Sequence, residues 1–79
     1  MKERVILYGT SACHLCEMAL ELLQATLSPD FFAIVQVDIA DADELVERYG
    51  VRIPVLQRPD GGELGWPFGV EEVIGFLGG

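Results

Sequence analysis

Seventy-nine residues, 51% of them hydrophobic, suffice to bury a core in one small domain without a covalent staple. Thirteen acids against five bases give a formal charge of −8, which excludes the clustered Lys and Arg that phosphate binding needs; the acidity is read as solubility, or as a preference for partners with a basic face. No run approaches the roughly 20 apolar residues of a membrane span, and the opening MKERVILYG lacks the long apolar region and cleavage site of a signal peptide, so a cytoplasmic protein with neither nucleic-acid nor membrane partners is expected.

There is no internal repeat, low-complexity tract or linker, and residues 1–79 are expected to form one domain. Residues 4–9, RVILYG, are an apolar, β-branched run ended by glycine, which predicts a strand buried on both faces. Residues 13–27 turn helical: Glu17, Glu21 and Gln24 fall in a narrow polar stripe, and Leu15, Met18, Ala19, Leu22, Leu23 and Leu27 fill the rest, so this helix is expected to be largely covered. Pro29 ends it, and residues 31–39, FFAIVQVDI, predict a second strand.

Asp41 then stands where an N-cap would, with Glu44 as the other half of a capping box and Gly50 as the stop of a short second helix. Residues 54–58 and 63–66, joined by Pro59-Asp60-Gly61-Gly62, predict a hairpin, since that turn supplies a fixed φ and glycines free to take φ > 0. Val70, Val73, Ile74 and Leu77 are spaced for a third helix with one buried face, followed by two glycines. The order β-α-β-α-β-β-α, with a right-handed crossover joining the first two strands and the hairpin at the edge, predicts an α/β fold: a mixed four-stranded sheet with three helices.

The two cysteines, Cys13 and Cys16, are the only ones in the chain. Their loop is too short to constrain the unfolded chain appreciably, which weakens a structural disulfide. Cys13, His14 and Cys16 supply at most three adjacent ligands where a closed zinc site needs four, so no metal site is expected within one chain; an iron–sulfur cluster shared between two chains remains an alternative. The predicted elements place the pair past the carboxyl end of the first strand and at the amino end of a helix, where open α/β sheets hold their active sites. There the helix dipole and free N–H groups stabilise a thiolate, making Cys13 the expected nucleophile and Cys16, rotated toward the apolar arc, the resolving thiol of thiol–disulfide exchange. His14 is read either as a cation that tunes Cys13 or as a solvent-facing spacer, and Leu15 as an apolar contact beside a substrate groove. Trp66 and Phe68 read as core and loop packing or, if exposed, as a docking surface; Tyr8 reads as core, then as a neighbour of the site.

YGTSACHLC, VDI, VRIPVL and DGGEL together resemble the thioredoxin-like fold, and in size and element order the chain is most similar to glutaredoxin, in particular to small bacterial glutaredoxin-like proteins of unassigned substrate. The resemblance implies a disulfide oxidoreductase, and that Pro54, at the start of the third strand, is cis and faces the cysteines. A cis proline leaves the N–H and C=O of Ile53 free to pair with an extended substrate, so Ile53 and Pro54 join His14 and Leu15 as substrate-binding candidates. The sequence departs from the family pattern at three places: His14-Leu15 replaces Pro-Tyr, Thr10 stands where a lysine is usual, and Gly61-Gly62 falls in the hairpin turn rather than after it. These departures, with the acidic surface, disfavour glutathione as a ligand. The expected partners are a protein or small-molecule disulfide and a reductant, with the chain a monomer holding no tightly bound cofactor; a non-catalytic binding module of the same fold is the alternative from another class.

Overall fold

The computed structural model describes residues 2–78. The elements are β1 (Glu3–Gly9), α1 (His14–Thr26), β2 (Phe32–Asp38), a 3-10 turn (Ile39–Asp41), α2 (Asp43–Tyr49), β3 (Val55–Gln57), β4 (Glu63–Gly65) and α3 (Val70–Phe76). The sheet order is β2-β1-β3-β4; β1 and β2 are parallel, from Glu3 opposite Phe32 to Gly9 opposite Asp38, and β3 is antiparallel to both β1 and β4. This is the mixed α/β arrangement with three helices that the sequence predicts. Of the two glycines closing the chain, Gly79 lies outside the described residues.

Alternation along the strands divides the core in two. Val5 and Leu7 of β1 and Leu56 of β3 pack against Ala19, Leu23 and Leu27 of the first helical segment and Val73 of α3. On the opposite face Val55 packs with Ile39 and Tyr49, flanked by Tyr8, Leu45 and Ile53. Strand β1 therefore has cover on both faces, complete over Val5 and Leu7 and partial over Ile6 and Tyr8.

Three local expectations need correction. The first helix is buried along the line Cys16, Ala19, Leu23, with Leu20 and Leu22 packed beside it, while Leu15 and Met18 are exposed, because a helix lying on one sheet touches it along one stripe. Asp41 does not cap α2. The Asp38 carboxylate accepts the Ala40 N–H at 2.9 Å and winds residues Ile39–Asp41 into a 3-10 turn, so the helix begins one residue later than expected, at Asp43, with no side-chain cap from Ala42. Gly50 ends α2 as expected, its N–H donating to the Val46 carbonyl at 2.8 Å. In α3 the buried centre is Val73, and Val70 and Ile74 face solvent. The face that packs on the core carries Val73, Phe76 and Leu77, and Arg58 joins it to the hairpin: its Nη1 donates to the Phe76 carbonyl at 2.9 Å and its guanidinium lies 4.5 Å from the Phe76 ring centre.

The hairpin turn follows the expected chemistry. Gly61 takes φ +94°, and Asp60 Oδ1 accepts both the Gly62 N–H at 2.9 Å and Arg58 Nε at 3.0 Å, contacts that hold the Asp60 carboxyl below its usual range. Since β3 runs away from the carboxyl end of β1, this turn lies at the end of the sheet opposite the cysteines.

Candidate functional site

The loop between β1 and α1 brings the cysteines to the carboxyl end of the parallel strand pair. Ala12, at φ +58°, occupies left-handed backbone that costs an L-residue roughly 1–2 kcal/mol, and this turn sets Cys13 as the N-cap of α1. Cys13 and Cys16 are joined as a disulfide across the first helical turn, with their Cα atoms 5.2 Å apart. The Cys16 N–H donates to Cys13 Sγ at 3.2 Å, so the sulfur takes the place of the oxygen that ordinarily caps a helix. Cys13 is half-buried, whereas Cys16 is 8% exposed and faces the sheet.

Gly9 makes that burial possible: a Cβ built on it would stand 3.0 Å from Cys16 Sγ and 3.2 Å from Cys16 Cβ. The absence of a side chain at the end of β1 is what lets the inner sulfur settle on the strand. Pro54 flanks the same point. The antiparallel register ends at Tyr8 opposite Val55, and the next step along sets Pro54 beside Gly9. Pro54 is fully buried, its bond to Ile53 is cis, and its carbonyl accepts the Trp66 N–H at 3.1 Å; Trp66-Pro67 is cis as well.

The other candidates are placed less uniformly. Ile53 is half-buried against Tyr49 and Val55, and its N–H donates to the Tyr49 carbonyl at 3.1 Å. That corrects the expectation that both polar groups of Ile53 are free for a substrate: the short link from α2 folds back on the helix end and consumes the N–H. His14 is exposed, with Nδ1 3.7 Å from Glu17 Oε2, and Leu15 is 45% exposed. Phe68 is buried in the main core and meets Trp66 edge-on at 5.1 Å, so this pair is packing and not the docking surface required by the binding-module alternative. Tyr8 stacks on Tyr49 with centroids 4.3 Å apart.

A cavity of about 320 Å³ opens beside the disulfide. Thr10, Ser11 and Ala12 of the loop, both cysteines, Glu17 and Leu20 of α1, and Gln36, Val37 and Asp38 of β2 surround it, with Leu7 and Gly9 at its floor. It opens beside the edge strand β2, at the end of β1 where Gly9 contributes no side chain. Sequence reasoning missed Gln36, Asp38 and Ser11. The signal was available in the parallel pairing of the two strands, since ligands collect beyond the carboxyl ends of parallel strands and Asp38 is the register partner of Gly9. Among the described residues no group of three or more His, Cys, Asp or Glu is placed to hold a metal ion, and no helix is long and apolar enough to cross a membrane.

The family model described as glutaredoxin-like domain (DUF836) matches residues 4–78. A search of curated proteins found no match. The X-ray structure of the structural-genomics target protein XcR50 from X. campestris is 38% identical, with a TM-score of 0.83 over 92% of this chain and 93% of that one. The solution structure of the same target gives a TM-score of 0.80 over 92% and 90%. The protein Ne2328 from Nitrosomonas europaea, 24% identical with a TM-score of 0.81 over 98% of this chain and 93% of that one, supports the fold alone.

Proposed function

The chain belongs to the glutaredoxin-like domain (DUF836) family, and on that premise we propose that it is a thiol–disulfide oxidoreductase of the cytoplasm, with Cys13 as nucleophile and Cys16 as resolving thiol. The observation that carries this reading is a cystine spanning the first turn of α1, one sulfur buried on Gly9 and the other half-exposed beside an open cavity.

In the dithiol form, the Cys16 N–H and the amino end of α1 stabilise negative charge on Cys13 Sγ. That thiolate attacks a substrate disulfide. One substrate sulfur bonds to Cys13, and the other leaves as a thiolate and takes a proton from water. Cys16 then loses its proton and attacks Cys13 Sγ, closing the Cys13–Cys16 disulfide and releasing the second substrate sulfur as a thiol. The substrate gains two electrons and the protein loses two, which a thiol or dithiol reductant restores. The buried position of Cys16 favours this division of labour, because an intramolecular attack needs no access from solvent.

Glutathione is a poor fit to this reading. Thr10 puts no cation before the cysteines, Gly61-Gly62 lies at the far end of the sheet, and the first turn of α3 holds its own carboxylate, Glu72 Oε1, on the Gly69 N–H at 2.7 Å. Pro54, one register step beyond Val55 and so beside Gly9, supplies with the Ile53 carbonyl the edge along which an extended substrate lies.

The test uses pre-reduced protein and a peptide disulfide. Cys13→Ser is expected to abolish disulfide reduction, and Cys16→Ser to accumulate a protein–peptide mixed disulfide visible by mass spectrometry. Equal reduction by the wild type and Cys13→Ser would refute the proposal.

A further inference from the structure

Resting on the redox reading above, we propose that the substrate is a disulfide with a Lys or Arg side chain next to its cystine, and that this side chain enters the cavity beside Cys13. The walls supply acceptors for a cation. Glu17 and Asp38 bring carboxylates, Thr10 and Ser11 hydroxyls, and Gln36 an amide oxygen. Asp38 spends Oδ1 on the Ala40 N–H and keeps its second oxygen without a partner among the described residues. Leu7, Leu20 and Val37 offer apolar surface to the methylene stem of a long basic side chain, which leaves its charged head at the polar rim.

Among the described residues no Lys or Arg competes for these groups. Lys2 and Arg4 lie toward the other end of β1, Arg4 about 16 Å from Gly9 at ~3.3 Å per residue. Arg48 and Arg52 lie over the Tyr49 ring, 5.8 and 5.7 Å from its centre on the α2 face of the sheet, and Arg58 is held at Phe76 by the hairpin. Among the described residues His14 is the one ionisable base at this end, and it stands beside Glu17, outside the cavity lining. Glu71 and Glu72 occupy the first turn of α3, whose amino end also points to the cystine end of the sheet because β4 leads into it parallel to β1. The charged side chains around the cavity are therefore acidic, which attracts a basic substrate and repels a carboxylate-rich one. The chemistry is the exchange written above: the Lys or Arg makes and breaks no bond, and its place in the cavity fixes the neighbouring disulfide at Cys13.

Three cystine peptides, identical but for Lys, Gln or Glu beside the cysteine, are mixed with pre-reduced protein at about pH 8, and the second-order rate constant of thiol release is measured. The Lys peptide is expected to react about tenfold faster than the Glu peptide at low salt, with glutathione disulfide grouped with the Glu peptide. The ratio should fall toward one at about 0.5 M NaCl, where charges more than a few Å apart are screened. Glu17→Gln combined with Asp38→Asn should bring it within about twofold at low salt. Reduction of all peptides at equal rates overturns the basic-substrate assignment and leaves the redox reading standing, as does a Lys preference that persists undiminished in the double variant. Failure of the wild type to reduce any peptide overturns the redox reading and this inference with it.

Discussion

Tyr49→Phe removes one hydroxyl from the smaller core cluster and should cost about 1.5–2 kcal/mol at neutral pH, a cost that fades as the pH is raised from about 10 to 12. Tyr49 is 1% exposed, and its hydroxyl donates to Glu63 Oε2. The ring stacked on Tyr8 survives the substitution, so the hydroxyl alone is probed. Burial, then the Glu63 acceptor, push the phenol up to about 12 from 10.0. Between those values the unfolded chain has lost the proton that the folded protein keeps, so the unfolded state binds fewer protons and stability falls with rising pH. Two pH units at ~1.36 kcal/mol each cap the effect at about 2.7 kcal/mol, within the ~1.5–3 kcal/mol of a hydrogen bond to a charged group. Glu63 keeps Gln57 Nε2 at 3.3 Å and Arg52 at 3.4 Å as donors, which places the expected loss in the lower part of that range.

The same pair acts on the acid side. Tyr49, then Arg52 and Arg48, hold the Glu63 carboxyl below its usual range against the opposing effect of burial. Its contribution is therefore present above the ordinary carboxylate value and lost as pH falls through the lower folded value, so the difference between wild type and Tyr49→Phe should also narrow below about pH 4. Urea unfolding of the oxidised proteins, followed by circular dichroism at about pH 3, 7 and 11.5, gives the three differences. A difference that stays constant over this range, or one under about 0.5 kcal/mol at neutral pH, would show that the hydroxyl is not coupled to Glu63 as described.

Gly9→Ala places a methyl 3.0 Å from Cys16 Sγ and is expected to destabilise the oxidised protein by about 1–2 kcal/mol and to slow closure of the disulfide, read from urea midpoints and from thiol release after mixed-disulfide formation. Leu23→Ala, at a fully buried position, should cost about 2–5 kcal/mol out of a total of roughly 4–12 kcal/mol for a chain of this size, leaving a markedly lower thermal midpoint. Ala12→Val forces a β-branched residue into left-handed backbone; a loss of about 1–2 kcal/mol or more is expected, with slower reduction of peptide disulfides because Cys13 is no longer set at the helix start. Glu72→Ala frees the Gly69 N–H at the start of α3 and should lower stability by about 0.5–1 kcal/mol in the same unfolding assay.

Local chemistry that needs no partner was legible in the chain. The β-branched run before Gly9, the Pro29 stop, the Pro59–Gly62 turn and the Cys-x-x-Cys at a strand-to-helix corner each carry their conformational reason within a few residues, and together they specified the α/β order and put the cysteines at the end of the parallel pair. Asp41 was misassigned because Asp38, three residues earlier, offered a competing hydrogen bond, and periodicity does not tell which of two carboxylates wins. Apolar spacing gave each helix a hydrophobic side but not its facing: that depended on the line along which α1 meets the sheet and on the packing of Val73, Phe76 and Leu77 against the core. Only the tertiary structure decided that Ile53 N–H is spent on Tyr49, that Phe68 is core, and that Asp38 and Gln36 of an edge strand wall a cavity beside Cys13. The sequence by itself determined that two cysteines stand three residues apart at a helix start; what stands around them was decided by strand pairing, because residues far apart in the chain become neighbours only when the sheet closes.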